Sequence, residues 1–138
     1  MTNGRGVSYT LAMKLSQPVP ILRIFDEALA KEFYVGFLGF TLDWEHRFAE
    51  WAPLYLQVTH GTCVLHLSGH FGDCCPGAGM RVPVEDIDAY QQDLLAKEYK
   101  HSRPGPARLM PWGTRDLTIA DPFGNRITFF EMGSDPGS

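Results

Sequence analysis

Apolar and polar positions along the chain fall into two successive copies of one pattern. From Pro18 to Phe25 the run PVPILRIF is apolar and β-rich, and Asp26 then opens DEALAKEFYVGFLG, in which Leu29, Phe33 and Phe37 recur every four residues. The first segment predicts a strand. The second predicts an amphipathic helix capped by Asp26, supported by a Glu27–Lys31 pair one turn apart and stopped at Gly39. FTLDWEHRF, PLYLQVTH and TCVLHLS read as three further strands, the last two joined by a tight turn at Gly61. The unit is βαβββ.

The second copy begins with the strand AGMRVPV at 78–84. Asp86 caps DIDAYQQDLLAKEY, with Ile87, Tyr90 and Leu94 on one face; a short strand near Tyr99–Ser102 follows, and RDLTIA and NRITFFE flank the turn DPFGN. The two caps lie 60 residues apart, and the hairpins LYLQVTHGTCVLHL and LTIADPFGNRITFF match at an offset of 62, with Leu117 set on Tyr55. PGPARLMPWGT between them reads as a loop rich in Pro and Gly. The modules span about 18–70 and 78–131 of one domain over 17–132. Residues 1–16, rich in Gly, Ser, Thr and Asn, predict an arm or disordered tail, and 133–138 a second tail.

Alternation divides each strand into two sets of side chains. One set, from Leu22, Ile24, Leu54, Leu56 and Val58 through Leu65, Leu67, Met80, Val82 and Val84 to Leu117, Ile119, Ile127 and Phe129, predicts the helix-facing core. The other mixes donors, acceptors and rings: Arg23, Tyr55, Gln57, Val64, His66, Ser68, Arg81, Asp116, Thr118, Arg126, Thr128 and Phe130. Such a face either meets solvent, as antiparallel sheets commonly do, or lines a cup suited to a small molecule. The fold expected is α+β: two βαβββ modules forming a curved mixed sheet that encloses a cup, with the helices on its outer face.

Composition narrows the partners. The chain has 138 residues, of which 44% are hydrophobic, enough for one core. Twelve Lys and Arg against 16 Asp and Glu leave a net charge of −4, which argues against nucleic acid. No stretch approaches the ~18 apolar residues of a membrane span, and the start MTNGRGVSYTLAMKLS has no convincing cleavage site. Three cysteines, two of them adjacent, make no closed disulfide framework. A cytoplasmic protein with no membrane partner is expected.

The motifs LRIFD (22–26), FYVGFLGF (33–40) and DPFGN (121–125) resemble those of the vicinal-oxygen-chelate superfamily, which joins glyoxalases, bleomycin-resistance proteins and dioxygenases. PWGTRDLTIADPFGNRITFFE (111–131) looks most like the bleomycin-resistance and glyoxalase-like proteins. The resemblance implies paired modules, a homodimer that completes the clefts and, in the enzymes, a divalent metal held by His or Glu in the first and last strands of each module. Those positions fall here on Val19, His66, Gly79 and Thr128, and only His66 can bind a metal. A lone imidazole leaves an ion mostly hydrated, whereas catalytic sites take about three protein ligands. Neither metal nor other cofactor is expected.

Other chemistry is thinly represented. Cys63, His66, His70, Cys74 and Cys75 crowd potential soft ligands together, but Cys63 and His66 face opposite sides of a strand, and adjacent cysteines rarely both chelate one ion. No nucleophile elbow or phosphate-binding glycine pattern occurs. Trp112, between Pro111 and Gly113, is a candidate wall for a flat ligand or a ring capping the core edge. Trp44 shares parity with core-facing Leu42, with Asp43 and Glu45 turned the other way; these two and Glu50 favour a cationic ligand, whereas Arg23, Arg81 and Arg126 favour an anionic one unless Asp116 neutralises one of them. The expected ligand-binding set is Arg23, Trp44, Tyr55, His66, Ser68, Arg81, Trp112, Asp116, Thr128 and Phe130, with no catalytic residue. The function expected is metal-independent sequestration of a small ring-containing compound in the manner of bleomycin resistance. The alternative is a metal-dependent lyase, isomerase or dioxygenase that uses His66 with His46 or His70.

Overall fold

A computed structural model of the chain describes residues 14–133, so most of the predicted arm and nearly all of the short C-terminal tail lie outside the described residues. The first module runs β1 (Ile21–Arg23), α1 (Glu27–Lys31), β2 (Thr41–His46), β3 (Tyr55–His60) and β4 (Cys63–Ser68). The second runs β5 (Gly79–Pro83), α2 (Ile87–Ala96), β6 (Arg108–Leu109), β7 (Thr114–Ala120) and β8 (Arg126–Met132). The architecture is α+β, two four-stranded mixed sheets ordered β1-β4-β3-β2 and β5-β8-β7-β6, with β1 and β5 parallel to β4 and β8. No helix among the described residues is long and apolar enough to cross a membrane.

Both helices begin where the caps predict: Asp26 accepts from Leu29 N at 2.9 Å and Asp86 from Ala89 N at 3.1 Å. After α1 the chain widens into a π-helical stretch, Glu32–Phe37, closed by Leu38 N donating to Phe33 O. The wider turn keeps Phe33 and Phe37, four residues apart, on the buried side, and buries Tyr34 with them. Gly39 stops the helix at φ 87°, a left-handed conformation that favours glycine. The Glu27–Lys31 pair does not form, because each side chain reaches another element: Glu27 pairs with Arg47, and Lys31 with Glu45 at 3.1 Å.

Two predicted elements are corrected. The strand expected at Tyr99–Ser102 is a turn, since Ser102 N bonds locally to Tyr99 O; the strand partnering β7 lies instead at Arg108–Leu109, inside the stretch expected to be loop. The hairpin offset of 62 holds for β4 and β8 but becomes 61 for β3 and β7. Leu56 pairs with Leu67, and Leu117 with Phe129. The DPFGN turn is longer than the Gly61–Thr62 turn, and the 61-residue step keeps apolar residues on the core side, where Leu117 on Tyr55 would have exchanged faces.

The split between the faces holds. Leu22, Ile24, Leu56, Leu67, Ile119, Ile127 and Phe129 are all buried, whereas Arg23, Gln57, His66, Arg81, Thr118 and Thr128 keep access to solvent. Met80, Val82 and Val84 are only half-buried, because β5 is an edge strand. A buried polar knot in the DPFGN turn ties the modules together. Asn125 donates to Arg23 O at 2.9 Å and to Asp121 Oδ2 at 2.7 Å, and accepts from Ala78 N, while the Tyr34 hydroxyl donates to the same Asp121 oxygen. Burial, chiefly, pushes the Tyr34 phenol far above its ordinary range, so it stays a donor.

Candidate functional site

Strand register sets the cup-face side chains of the first sheet in rows. Arg23, Ser68, Tyr55 and His46 are consecutive partners across β1, β4, β3 and β2, and Ile21, His66, Gln57 and Trp44 form the next row. Trp44 is in its row because of a β-bulge between Leu42 and Trp44. Strict alternation placed it with Leu42 and turned Asp43 away from it. The bulge instead leaves Trp44 43% exposed and stacked on Tyr55 (6.1 Å, 12°), with its edge relation to His66 at 5.3 Å, while Asp43 reaches Gln57 and Thr59 on the same face.

These side chains form a hydrogen-bond chain with a fixed direction. Gln57 Nε2 donates to Asp43 Oδ2 at 3.0 Å, which turns Gln57 Oε1 towards His66; Oε1 only accepts, so the 2.9 Å contact places the imidazole proton on Nε2. His66 Nδ1 is then the acceptor of the Tyr55 hydroxyl at 2.7 Å. Burial lowers the His66 pKa, favouring the neutral ring that this arrangement requires. Burial also raises the Tyr55 phenol pKa, with Asp73 and Cys74 adding to the shift. Both imidazole nitrogens are committed to neighbours, and Tyr55 turns its oxygen lone pairs, not its proton, to any partner outside the chain.

Loop residues close over one end of this sheet. Ser68, expected on the open face, is fully buried because Asp73 accepts its hydroxyl and His70 N donates to it. The Arg23 guanidinium lies over the rings of Phe25 at 4.8 Å and Phe71 at 5.9 Å. A cavity of about 670 Å³ opens between Trp44, Tyr55, Phe48 and His70, with Glu45, His46 and Asp73 completing the wall. Phe48 and Asp73 were absent from the expected site, and His70 was expected only as a partner of His66 in the metal-dependent alternative. They lie on loops, where no periodicity marks which side chain turns inward.

The second sheet carries the rest of the expected set in a different chemical state. Arg81 meets Asp116 through two contacts, 2.9 and 3.3 Å, and lies 4.4 Å over the Phe130 ring. Asp116 thus neutralises Arg81, and the hydrogen bond from Arg81 holds the carboxyl below its ordinary pKa. Thr118 and Thr128, which correspond to Gln57 and His66 of the first module, share a 2.8 Å hydrogen bond beside an open depression that Arg126 also lines. Trp112 is 61% exposed in the turn between β6 and β7 and does not join the Trp44 cluster.

The superfamily's divalent metal does not fit these residues. His66 is flanked in register by Ile21, Val19 precedes the strand, and Gly79 and Thr128 offer no imidazole or carboxylate. Among the described residues no group of three or more His, Cys, Asp or Glu is placed to hold an ion.

The profile of the family described as "Glyoxalase superfamily protein" matches residues 7–135. An antibiotic binding protein, TnmS3, from Streptomyces sp. CB03234 is 25% identical, with a TM-score of 0.69 over 88% of this chain and 99% of that one. A glyoxalase/bleomycin resistance protein from the same organism is also 25% identical, with a TM-score of 0.61 over 81% and 98%. A bleomycin-binding protein complexed with bleomycin shares the fold at 18% identity, with a TM-score of 0.65 over 85% and 98%. No curated protein matches the sequence. The chain belongs to the glyoxalase superfamily.

Proposed function

We propose that the protein binds a small, ring-containing compound on the cup face and sequesters it without transforming it, as an antibiotic-binding protein of the bleomycin-resistance type in the cytoplasm. The observation that carries this reading is the Trp44–Tyr55 stack on the wall of an open cavity of about 670 Å³, a size suited to a drug-like molecule. Flat rings supply most of the contact area when an aromatic ligand is held, and here they stand beside a fixed, neutral His66. The absence of a metal-ligand set around His66 supports binding rather than metal chemistry. The likeness to the antibiotic binding protein TnmS3 supports the same class.

In this reading Trp44, Tyr55 and His66 of the first sheet face the ligand, with Arg23 beyond the cavity wall and the buried Ser68 hydroxyl orienting Asp73, while Arg81, Asp116, Thr128 and Phe130 contribute from the second sheet. Trp112 completes the cleft at the surface of a homodimer. Sequestration demands tight binding, since a dissociation constant near 1 μM corresponds to only ~8 kcal/mol and leaves much of the compound free. Tryptophan fluorescence titrated with metal-free and copper-loaded bleomycin tests the proposal. Saturable quenching with sub-micromolar affinity, lost in Trp44→Leu while the melting temperature is kept, is expected. No change up to about 100 μM, far weaker than useful sequestration, would reject the drug-binding function.

A further inference from the structure

Resting on that reading, we infer that the Trp44 cavity selects ligands whose ring system carries a positively charged nitrogen, and that Asp73 is the specificity-determining counter-charge. The wall contains two carboxylates, Glu45 and Asp73, and no Lys or Arg. Glu45 is committed to Lys31 at 3.1 Å. Asp73 pairs with no cation among the described residues; its side chain accepts from the Ser68 hydroxyl, which donates to Oδ2 and so aims the group while leaving Oδ1 without a partner among them.

The rings point the same way. Trp44, Phe48 and Tyr55 present three aromatic side chains to one cavity, and π faces attract cations electrostatically. The Tyr55 hydroxyl donates its hydrogen bond to His66 Nδ1, so its oxygen can only accept from a ligand N–H. The guanidinium of Arg23, the cation of the same sheet face, lies over the Phe25 and Phe71 rings and does not line the cavity. The second sheet gives the contrast that makes the assignment specific. Its carboxylate, Asp116, is already neutralised by Arg81, and Arg126 lines the depression beside it, so that half of the cup offers no unpaired negative group.

The test is calorimetric titration of the full-length protein at pH 8 with three flat bicyclic probes of similar size: N-methylquinolinium, neutral quinoline and anionic 1-naphthoate. The expected order is cation, then neutral compound, then anion. Asp73→Asn, which keeps the acceptor for Ser68, should weaken the cation about tenfold, the scale of one ion pair, and leave quinoline unchanged. Lys31→Met, an exposed change that releases Glu45, should strengthen the cation alone. If all three probes bind alike and Trp44→Leu removes them all, the ring-binding site stands and the charge selection falls. A preference for naphthoate, or a ratio of cation to quinoline untouched by both variants, also overturns the inference. Failure of every probe to bind at millimolar concentration would overturn the inference, while the binding function itself stands or falls on the bleomycin titration.

Discussion

Phe129 and Thr128 are adjacent on β8, share one hairpin and face opposite sides of the sheet, so substituting each with Ala isolates the value of facing the core. Phe129 is 2% exposed, packs edge-on to Tyr90 at 5.1 Å and is in register with Leu117 and Val82. A buried Phe side chain removes roughly 150–250 Å² from water, which at about 25 cal/mol per Å² is about 4–6 kcal/mol as an upper bound. Measured truncations of buried aromatics cost about 3–5 kcal/mol, and we take ~4 kcal/mol for Phe129→Ala. Thr128 gives up one hydrogen bond to Thr118 on the open face, about 1 kcal/mol or less. Chemical denaturation monitored by circular dichroism should move the midpoint strongly for the first variant and little for the second; in thermal melts ~4 kcal/mol corresponds to roughly 10–15 °C for a chain of this size. Equal losses, or a larger loss at Thr128, would mean that the assignment of core and cup faces is inverted.

Three other outcomes follow from particular contacts. Asn125→Ala strips partners from Arg23 O, Ala78 N and Asp121, all held in the buried knot between modules, and should cost about 2–4 kcal/mol in denaturant melts. His66 has its folded-state pKa lowered by burial, so between that value and the ordinary value of about 6.5 the unfolded chain binds more protons; stability should fall as pH drops through this window, and NMR should place the His66 midpoint below about 6.5. The proposed homodimer has twice the 15.5 kDa chain mass, about 31 kDa by light scattering at micromolar concentration, and a monomer there would remove any cleft built across the interface.

What was legible in the sequence was whatever periodicity and local capping encode. The period-two alternation of β3, β4, β7 and β8 fixed both faces, because one face is buried and register is therefore strongly constrained. Asp26 and Asp86 announced their helices through side-chain oxygens that satisfy backbone donors of the first turn. The candidate site was legible where it lies on regular strands, at Tyr55 and His66. Trp44 was named but given a parity that the bulge at Leu42 overrides, and Asp43 was turned away for the same reason. Phe48, His70 and Asp73 sit on loops, whose path depends on tertiary contacts such as Ser68 to Asp73 that no local pattern announces. Lys31 and Glu27 failed as a helical pair because Glu45 and Arg47, distant in sequence, compete for them.

Whether the cup holds a ring-containing compound intact and without a metal is decided by a titration. Chelator-stripped protein is titrated calorimetrically with metal-free bleomycin, and the compound is then recovered and weighed by mass spectrometry. Saturation at one ligand per chain, sub-micromolar affinity equal before and after stripping, and an unchanged ligand mass are expected. Binding that vanishes with the chelator and returns with zinc, nickel, manganese or iron, or a ligand recovered with altered mass, would contradict metal-free binding of the intact compound.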